Sequence, residues 1–289
     1  SLLTDREMDL AASVQAVTEE IVVKLTRSLA QETGAKNLCL AGGVALNCSM
    51  NQRLRTHFGL KEMFVQPAAH DAGTSLGAAL EAHWLITGEP VPTTMNNAYF
   101  GPSYPRTEIV QTLESYGIPY TEPEALEDDV AQLLADGAIV CRFNGRAEFG
   151  PRALGARSIL ADPRQASMKA RLNTLKRRQW WRPFGPSILA GHETDYFENA
   201  HISPFMLFTL PVRTEKQGTI PAVLHVDGTT RPQSVTKEAN PSYHQLIQRF
   251  YEITGVPMVV NTSFNTAFEP IVETPGDAVS TFLQIGADY

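Results

Sequence analysis

The sequence predicts an α/β protein in two parts, on three observations. Strand-like and helix-like runs alternate along the first ninety residues, glycines stand at the strand-to-helix turns, and a stretch rich in Pro, Asn and Thr, 88–105, then interrupts the pattern. With 289 residues, 43% of them hydrophobic, the chain can form one large or two ordinary domains around a substantial core.

The elements follow in order. Thr4 with Glu7 three residues on forms a capping box, and Met8, Ala11, Val14, Val17, Ile21, Leu25 and Leu29 then fall on one helical stripe that Gly34 ends. A strand "NLCLA", the pair Gly42–Gly43 and a helix "VALNCSMNQRLRTH" come next. A strand "EMFVQP" leads through "AAHDAG" into a helix "TSLGAALEAHWLIT". Such alternation calls for a largely parallel sheet. The low-periodicity stretch reads as a linker, dividing the chain near residue 95 into parts 1–95 and 96–289. Beyond it lie helices around 106–116 and 126–136, a strand "AIVCRF", a helix near 165–178 and strands "FMLFTLPV" and "AVLHV". A helix "YHQLIQRFYEITG", a strand "PMVVNTSF" and a terminal helical segment complete a mixed α/β second part.

A net charge of −7 argues against a protein built to coat nucleic acid or an anionic membrane. Three separated cysteines, Cys39, Cys48 and Cys141, fit a reducing compartment, and neither a bilayer-length apolar run nor a charged-then-apolar leader is present. A cytoplasmic protein is expected. Positive charge is concentrated: residues 142–182 hold nine arginines and two lysines against Glu148 and Asp162, a local +9 that leaves −16 on the rest.

Arginine offers planar, permanently charged donors suited to phosphate or carboxylate, and glycine lets backbone N–H groups approach the same anion. For "MKARLNTLKRR" a solvated helix face explains the charge better. For "GRAEFGPRALGARS" it does not, because Gly145, Gly150, Pro151 and Gly155 exclude a long helix. A nucleic-acid surface is the rival reading, but Phe143, Phe149, Trp180, Trp181 and Phe184 are not interleaved with the basic residues as a stacking platform would require. "HVDGTTRPQSV", with Arg231, and "VVNTSFN", with Asn261, Thr262, Ser263 and Asn265, place polar groups where they could close such a pocket. In the first part, Gly42–Gly43 can present N–H groups to an anion, with Asn47 on the following turn. Asp71, beside His70, is an N-cap or a metal-binding carboxylate.

Taken together, "LAGGVALNCSMNQRL", "PAAHDAGTSLGAAL", "GRAEFGPRALGARSILADPR", "WRPFGPSIL", "HVDGTTRPQSV" and "NTSFNTAFEPIVETPGDAV" resemble, in order and spacing, the NodU/CmcH-type carbamoyltransferases. The resemblance covers nearly the whole chain. It implies part of a sugar-kinase/actin-like (ASKHA) carbamoyl-transfer domain followed by a YrdC-like α/β domain. The YrdC-like domain would make carbamoyl adenylate from ATP and carbamoyl phosphate, and the carbamoyl group would pass to a hydroxyl of a small-molecule acceptor. By motif, Arg152, Arg182 and Arg231 would carry the chemistry and, with Asn261, Ser263 and Asn265, bind ATP and carbamoyl phosphate. Arg146, Arg157, Lys176 and Arg178 would join them. Gly43 and Asn47 would contact the adenylate in the transfer site. Asp71 would bind Fe2+, whose other ligands the family carries upstream of Ser1, with Mg2+ as a further candidate. Glu148 would orient one of the arginines. The resemblance implies neither a membrane nor a nucleic-acid partner, and it leaves the oligomeric state open. Two alternatives are a YrdC-related RNA-binding or tRNA-modification module and a non-catalytic nucleotide-binding fragment.

Overall fold

The structure is a computed structural model that describes residues 4–60, 62–92 and 94–289; Thr93, within the stretch read as a linker, lies outside them. The chain forms two compact units, one of residues 1–91 with 207–209 and one of 92–206 with 210–289.

The first unit opens with α1 (Asp5–Thr33), where the Thr4 N–H donates to Glu7 Oε2 at 2.9 Å. Gly34 stops the helix at φ 67°, donating to the Ala30 carbonyl at 2.9 Å. The apolar stripe lies mostly outward: Met8, Val14, Val17, Ile21, Leu25 and Leu29 are exposed, while Val23 and Thr26 are buried. Val23 packs with Met50 and Leu54 of α2 (Cys48–Phe58), next to the parallel pair β1 (Leu38–Leu40) and β2 (Met63–Val65). A 3-10 turn, Gly43–Leu46, precedes α2, and α3 (Gly73–Thr87) closes the unit with no buried residue. Buried Asn51 fastens residues 207–209 to this unit by donating to the carbonyls of Ala45 at 2.8 Å and Leu207 at 2.9 Å.

The second unit holds α4 (Arg106–Ser115), α5 (Leu126–Ala135), β3 (Val140–Phe143), β4 (Arg157–Ala161), α6 (Ser167–Leu175), β5 (Gly185–Leu189) and the short α7 (Glu193–Tyr196). It continues with β6 (Leu210–Pro211), β7 (Thr229–Thr230), β8 (Gln233–Val235), α8 (Pro241–Thr254), β9 (Met258–Ser263) and α9 (Pro275–Ile285). Its five-stranded sheet runs β3-β4-β9-β5-β8. Only β5–β8 is parallel, so the parallel order seen in the first unit does not extend here. Every residue of β4 and β5 is buried, which removes the apolar-polar alternation that marks a half-exposed strand.

Two expected strands dissolve. In "FMLFTLPV" only Leu210–Pro211 is strand, because Met206 at φ 55° turns the backbone out of the extended region. "AVLHV" is turn and coil, with Val223 N–H on the Ile220 carbonyl at 3.2 Å; Ala222 and Val223 are nevertheless core residues. The stretch read as a linker also bonds to the arginine loop: Gly101 N–H meets the Ala147 carbonyl at 2.9 Å, Ala147 N–H the Pro102 carbonyl at 2.9 Å, and Phe149 N–H the Ala98 carbonyl at 2.6 Å. No helix among the described residues is long and apolar enough to cross a membrane.

Candidate functional site

The loop between β3 and β4, residues 144–156, is built on a carboxylate. Glu148 Oε1 accepts from the backbone N–H groups of Leu154 at 2.7 Å, Ala156 at 2.7 Å and Arg157 at 3.2 Å. Three donors on one anionic oxygen make a strong local tie. Glu148 therefore orients backbone, and it occupies N–H groups that the glycine-rich sequence offered to a phosphate. Arg152 sits half-buried within this loop.

Arg157 has a structural task that differs from the ligand role implied for it. Its side chain is 0% exposed, lies 3.6 Å over the Phe143 ring and donates to the carbonyls of Asn144, Gly145, Ala156 and Pro102 at 3.1–3.3 Å. No face of this guanidinium is open to a ligand. Arg146 is exposed, but its donors meet the carbonyls of Gly101 at 2.9 Å and Phe100 at 2.7 Å.

The cations that do gather are Lys176, Arg178, Arg182 and Arg231. Burial pushes the Arg178 guanidinium down to about 10, with Arg182 and then Arg231 acting in the same direction. Burial likewise pushes the Lys176 ammonium down to about 7, with Arg178 and Arg182 adding to it. Like charges that act on one another in this way raise the energy of the site and are relieved by an anion. Arg182 is exposed and Arg231 half-buried. The approach of their two segments depends on Gly185, where a Cβ would lie 2.4 Å from the Arg231 carbonyl oxygen.

A residue that the sequence reasoning passed over holds this cluster. Asn173, 2% exposed on α6, donates to the carbonyls of Trp180 at 3.0 Å and Arg182 at 3.1 Å and accepts from Arg178 Nε at 2.7 Å. Arg178 also bonds the Pro183 carbonyl at 3.0 Å and lies 4.3 Å over the Phe184 ring. An asparagine inside a helix is a poor helix former, and that local cost was the signal available.

Lys176 connects to the "NTSFN" segment. Its Nζ donates to the Ser263 carbonyl, to the Asn265 carbonyl at 2.7 Å and to Asn265 Oδ1 at 3.0 Å, and Ser263 Oγ donates to that same Oδ1 at 2.6 Å. Asn261 lies deeper, 2% exposed, and donates to the Ala153 carbonyl at 3.1 Å, Ser187 Oγ at 2.9 Å and Gln233 Oε1 at 3.1 Å. Its Oδ1 is buried and has no partner among the described residues.

Protonated Lys176 is disfavoured in the folded chain, since its folded pKa of about 7 lies below the ordinary 10.5. Between those values the unfolded chain holds a proton that the folded chain lacks, so this group makes stability rise with pH from about 7 towards 10. The stability of wild type relative to Lys176→Met is expected to rise across that window by up to ~1.4 kcal/mol per pH unit. Urea melts of both at pH 7 and pH 9 check it, and equal differences at the two pH values would refute it.

In the first unit, Gly43 opens the 3-10 turn, and Asn47 is the N-cap of α2 rather than a residue on its first turn: Asn47 Oδ1 accepts from Met50 N–H at 3.0 Å. Its amide also pairs with Gln15, at 2.8 and 3.1 Å. Asp71 is exposed and does not cap α3 with its side chain; its carbonyl accepts from Thr74, while His70 Nδ1 accepts from Ala72 N–H at 3.0 Å. No group of three His, Cys, Asp or Glu able to hold a metal occurs among the described residues. Asp71 offers one carboxylate, which by itself does not complete an iron site.

With this geometry in hand, comparison with known proteins decides the family. A model described as "Carbamoyltransferase C-terminus" matches residues 131–289, and "Carbamoyltransferase N-terminus" matches residues 2–80. The chain belongs to the carbamoyltransferase family. Among family relatives, "Nodulation protein NolNO" of Sinorhizobium fredii is 44% identical over 99% of this chain and 43% of its own length. "Nodulation protein NolO" of Bradyrhizobium diazoefficiens is 41% identical over 99% of this chain and 53% of its own. An uncharacterized Synechocystis protein is 43% identical over 100% of this chain and 52% of its own. The chain thus spans about half the length of the curated relatives it matches. Two solved structures are weakly similar. Full-length HypF in its phosphate- and nucleotide-bound form gives a TM-score of 0.44 at 19% identity over 59% of this chain and 21% of that one. Sua5 of P. abyssi with L-threonine gives 0.43 at 13% over 57% and 46%.

Proposed function

We propose that this carbamoyltransferase-family chain is the carboxy-terminal portion of an ATP-dependent O-carbamoyltransferase of the cytoplasm. The division near residue 95 would separate part of a sugar-kinase/actin-like transfer domain from a YrdC-like adenylate-forming domain. The observation that carries the reading is the cation cluster of Lys176, Arg178, Arg182 and Arg231, in which the charge of Arg182 bears on both Lys176 and Arg178 and that of Arg231 bears on Arg178. ATP and carbamoyl phosphate each bring several phosphate oxygens, and such charge satisfies the cluster.

In the proposed first step, water cleaves the acyl-phosphate bond of carbamoyl phosphate, giving inorganic phosphate and carbamate, and a carbamate oxygen attacks the α-phosphorus of ATP. Pyrophosphate leaves and carbamoyl adenylate remains. Arg182 and Arg231 reach solvent and would meet the phosphates, neutralising charge that builds during transfer. Arg152 would do so from the loop that Glu148 fixes. Lys176 would regain its proton beside a bound dianion and keep Asn265 and the Ser263 carbonyl in place. The unpartnered Asn261 Oδ1 would accept from a ligand N–H. In the second step the acceptor hydroxyl would take the carbamoyl group, AMP would leave and the hydroxyl proton would pass to solvent. Gly43 and Asn47 belong to that step by motif, as does Asp71.

The full-length protein given both co-substrates and labelled pyrophosphate is expected to incorporate label into ATP without any acceptor. Absence of carbamoyl-phosphate-dependent exchange would overturn the reading.

A further inference from the structure

Two large apolar side chains stand out beside the cation cluster. Trp180 is 79% exposed and Trp181 is 41% exposed, on the loop that joins Arg178 to Arg182. Exposed indoles are ordinary on a loose loop, but this loop is held throughout. Arg177 N–H bonds the Thr174 carbonyl at 3.0 Å and Arg178 N–H the Asn173 carbonyl at 3.0 Å, with Arg177 itself in the left-handed region at φ 52°. The Asn173 side chain takes the carbonyls of Trp180 and Arg182, and Arg178 takes that of Pro183. The backbone carrying both rings is thus fixed by the buried Asn173 and the half-buried Arg178.

A preorganised loop has its ordering entropy settled before a ligand arrives, so rings displayed on it bind more tightly than rings on a mobile segment. What such rings favour is a flat, polarizable surface. What the neighbouring side chains favour is a multiply charged anion, because Arg182 and Arg231 both bring positive charge to bear on Arg178 and the close approach of their segments at Gly185 holds them together. A nucleotide carries both features in one molecule, a planar base joined to a polyphosphate.

We propose that Trp180 and Trp181 form the nucleobase subsite of the cation cluster, stacking on the base of the nucleoside triphosphate whose phosphates Arg182 and Arg231 hold. The inference rests on the nucleotide-binding reading above and adds the source of its base selectivity. The rings, and not hydrogen bonds to the base edge, would then set affinity, so purine triphosphates would be held more tightly than pyrimidine ones through greater stacking area.

The test uses the full-length protein and two probes, ATP and inorganic tripolyphosphate, which has the phosphates and no base. By calorimetry the double variant Trp180→Ala/Trp181→Ala is expected to weaken ATP about tenfold or more and to leave tripolyphosphate unchanged. Trp180→Phe/Trp181→Phe restores most of the ATP affinity. ATP, and not tripolyphosphate, shields the wild-type indoles from acrylamide quenching. Unchanged ATP affinity in the alanine variant overturns the inference while leaving the phosphate site intact. Equal weakening of both probes makes the rings supports of the loop and overturns it too. Indoles already shielded without ligand mean that protein covers them, and the subsite is then ruled out. A wild-type protein that binds neither probe removes the nucleotide reading itself.

Discussion

Arg182→Ala is expected to lower carbamoyl-phosphate-dependent ATP–pyrophosphate exchange by roughly 10²-fold or more, the scale seen when one preorganised charge-stabilising group is removed. The variant is also expected to melt at or slightly above the wild-type temperature. The reason lies in how Arg182 is held. Its side chain is exposed, and what Asn173 uses is its backbone carbonyl, which alanine keeps. Removing its charge relieves Arg178 and Lys176 of a like-charged neighbour. Lost activity with retained stability distinguishes a ligand-facing arginine from Arg157, whose caged guanidinium would cost stability first. Asp71→Ala, in the other unit, is expected to leave the exchange intact and reduce transfer to the acceptor. Exchange kinetics and calorimetric melts of the two variants provide the check. Full exchange in Arg182→Ala, or equal loss in both, would remove the proposed division of labour.

Gly155→Val is the substitution expected to damage the fold most. Gly155 has φ 107°, and a Cβ there would lie 2.3 and 2.4 Å from two ring carbons of Tyr243, which is fully buried on α8. The ring has no room to retreat. Gly155 is tied in place as well, with its N–H on Ser158 Oγ at 2.9 Å and its carbonyl accepting from Arg142 Nε at 2.9 Å. Backbone strain and overpacking together cost about 3 kcal/mol or more. For a unit of this size that lowers Tm by about 6–12 °C. The loop also carries Arg152 and the N–H groups that Glu148 holds, so exchange activity should fall below the Tm as well. An unshifted melt would show that the loop can move away from Tyr243.

Much of the first unit was legible because its signals are local. Thr4 and Glu7 announce the start of α1, Gly34 its end, and the short parallel strands are separated by helices of readable period. The second unit hid its strands. β4 and β5 are buried on both faces and contain Arg157, Ser158, Gly185, Pro186 and Ser187, so neither alternation nor an unbroken apolar run marks them. Conversely, "FMLFTLPV" is apolar because it is buried, although it is mostly not strand. At the site, the sequence identified a dense positive segment but could not sort its members. Arg157 and Arg182 look alike in a string of letters; the carbonyls that cage one and leave the other at the surface come from residues up to 55 positions away. Glu148 was hidden for another reason, since its partners, six to nine residues on, are backbone N–H groups that no letter of the sequence marks; the three-acceptor seat of Lys176 lies 87–89 residues downstream.

The outward stripe of α1 has a consequence for handling the molecule. Met8, Val14, Val17, Ile21, Leu25 and Leu29 recur along almost the whole length of a 29-residue helix, so the apolar surface they present is a continuous band about 30 Å long and not a scatter of isolated side chains. A band of that length gives these 289 residues, purified by themselves, an adhesive side. Their colloidal behaviour in a tube would be governed by it, even though the net charge of −7 favours dispersal.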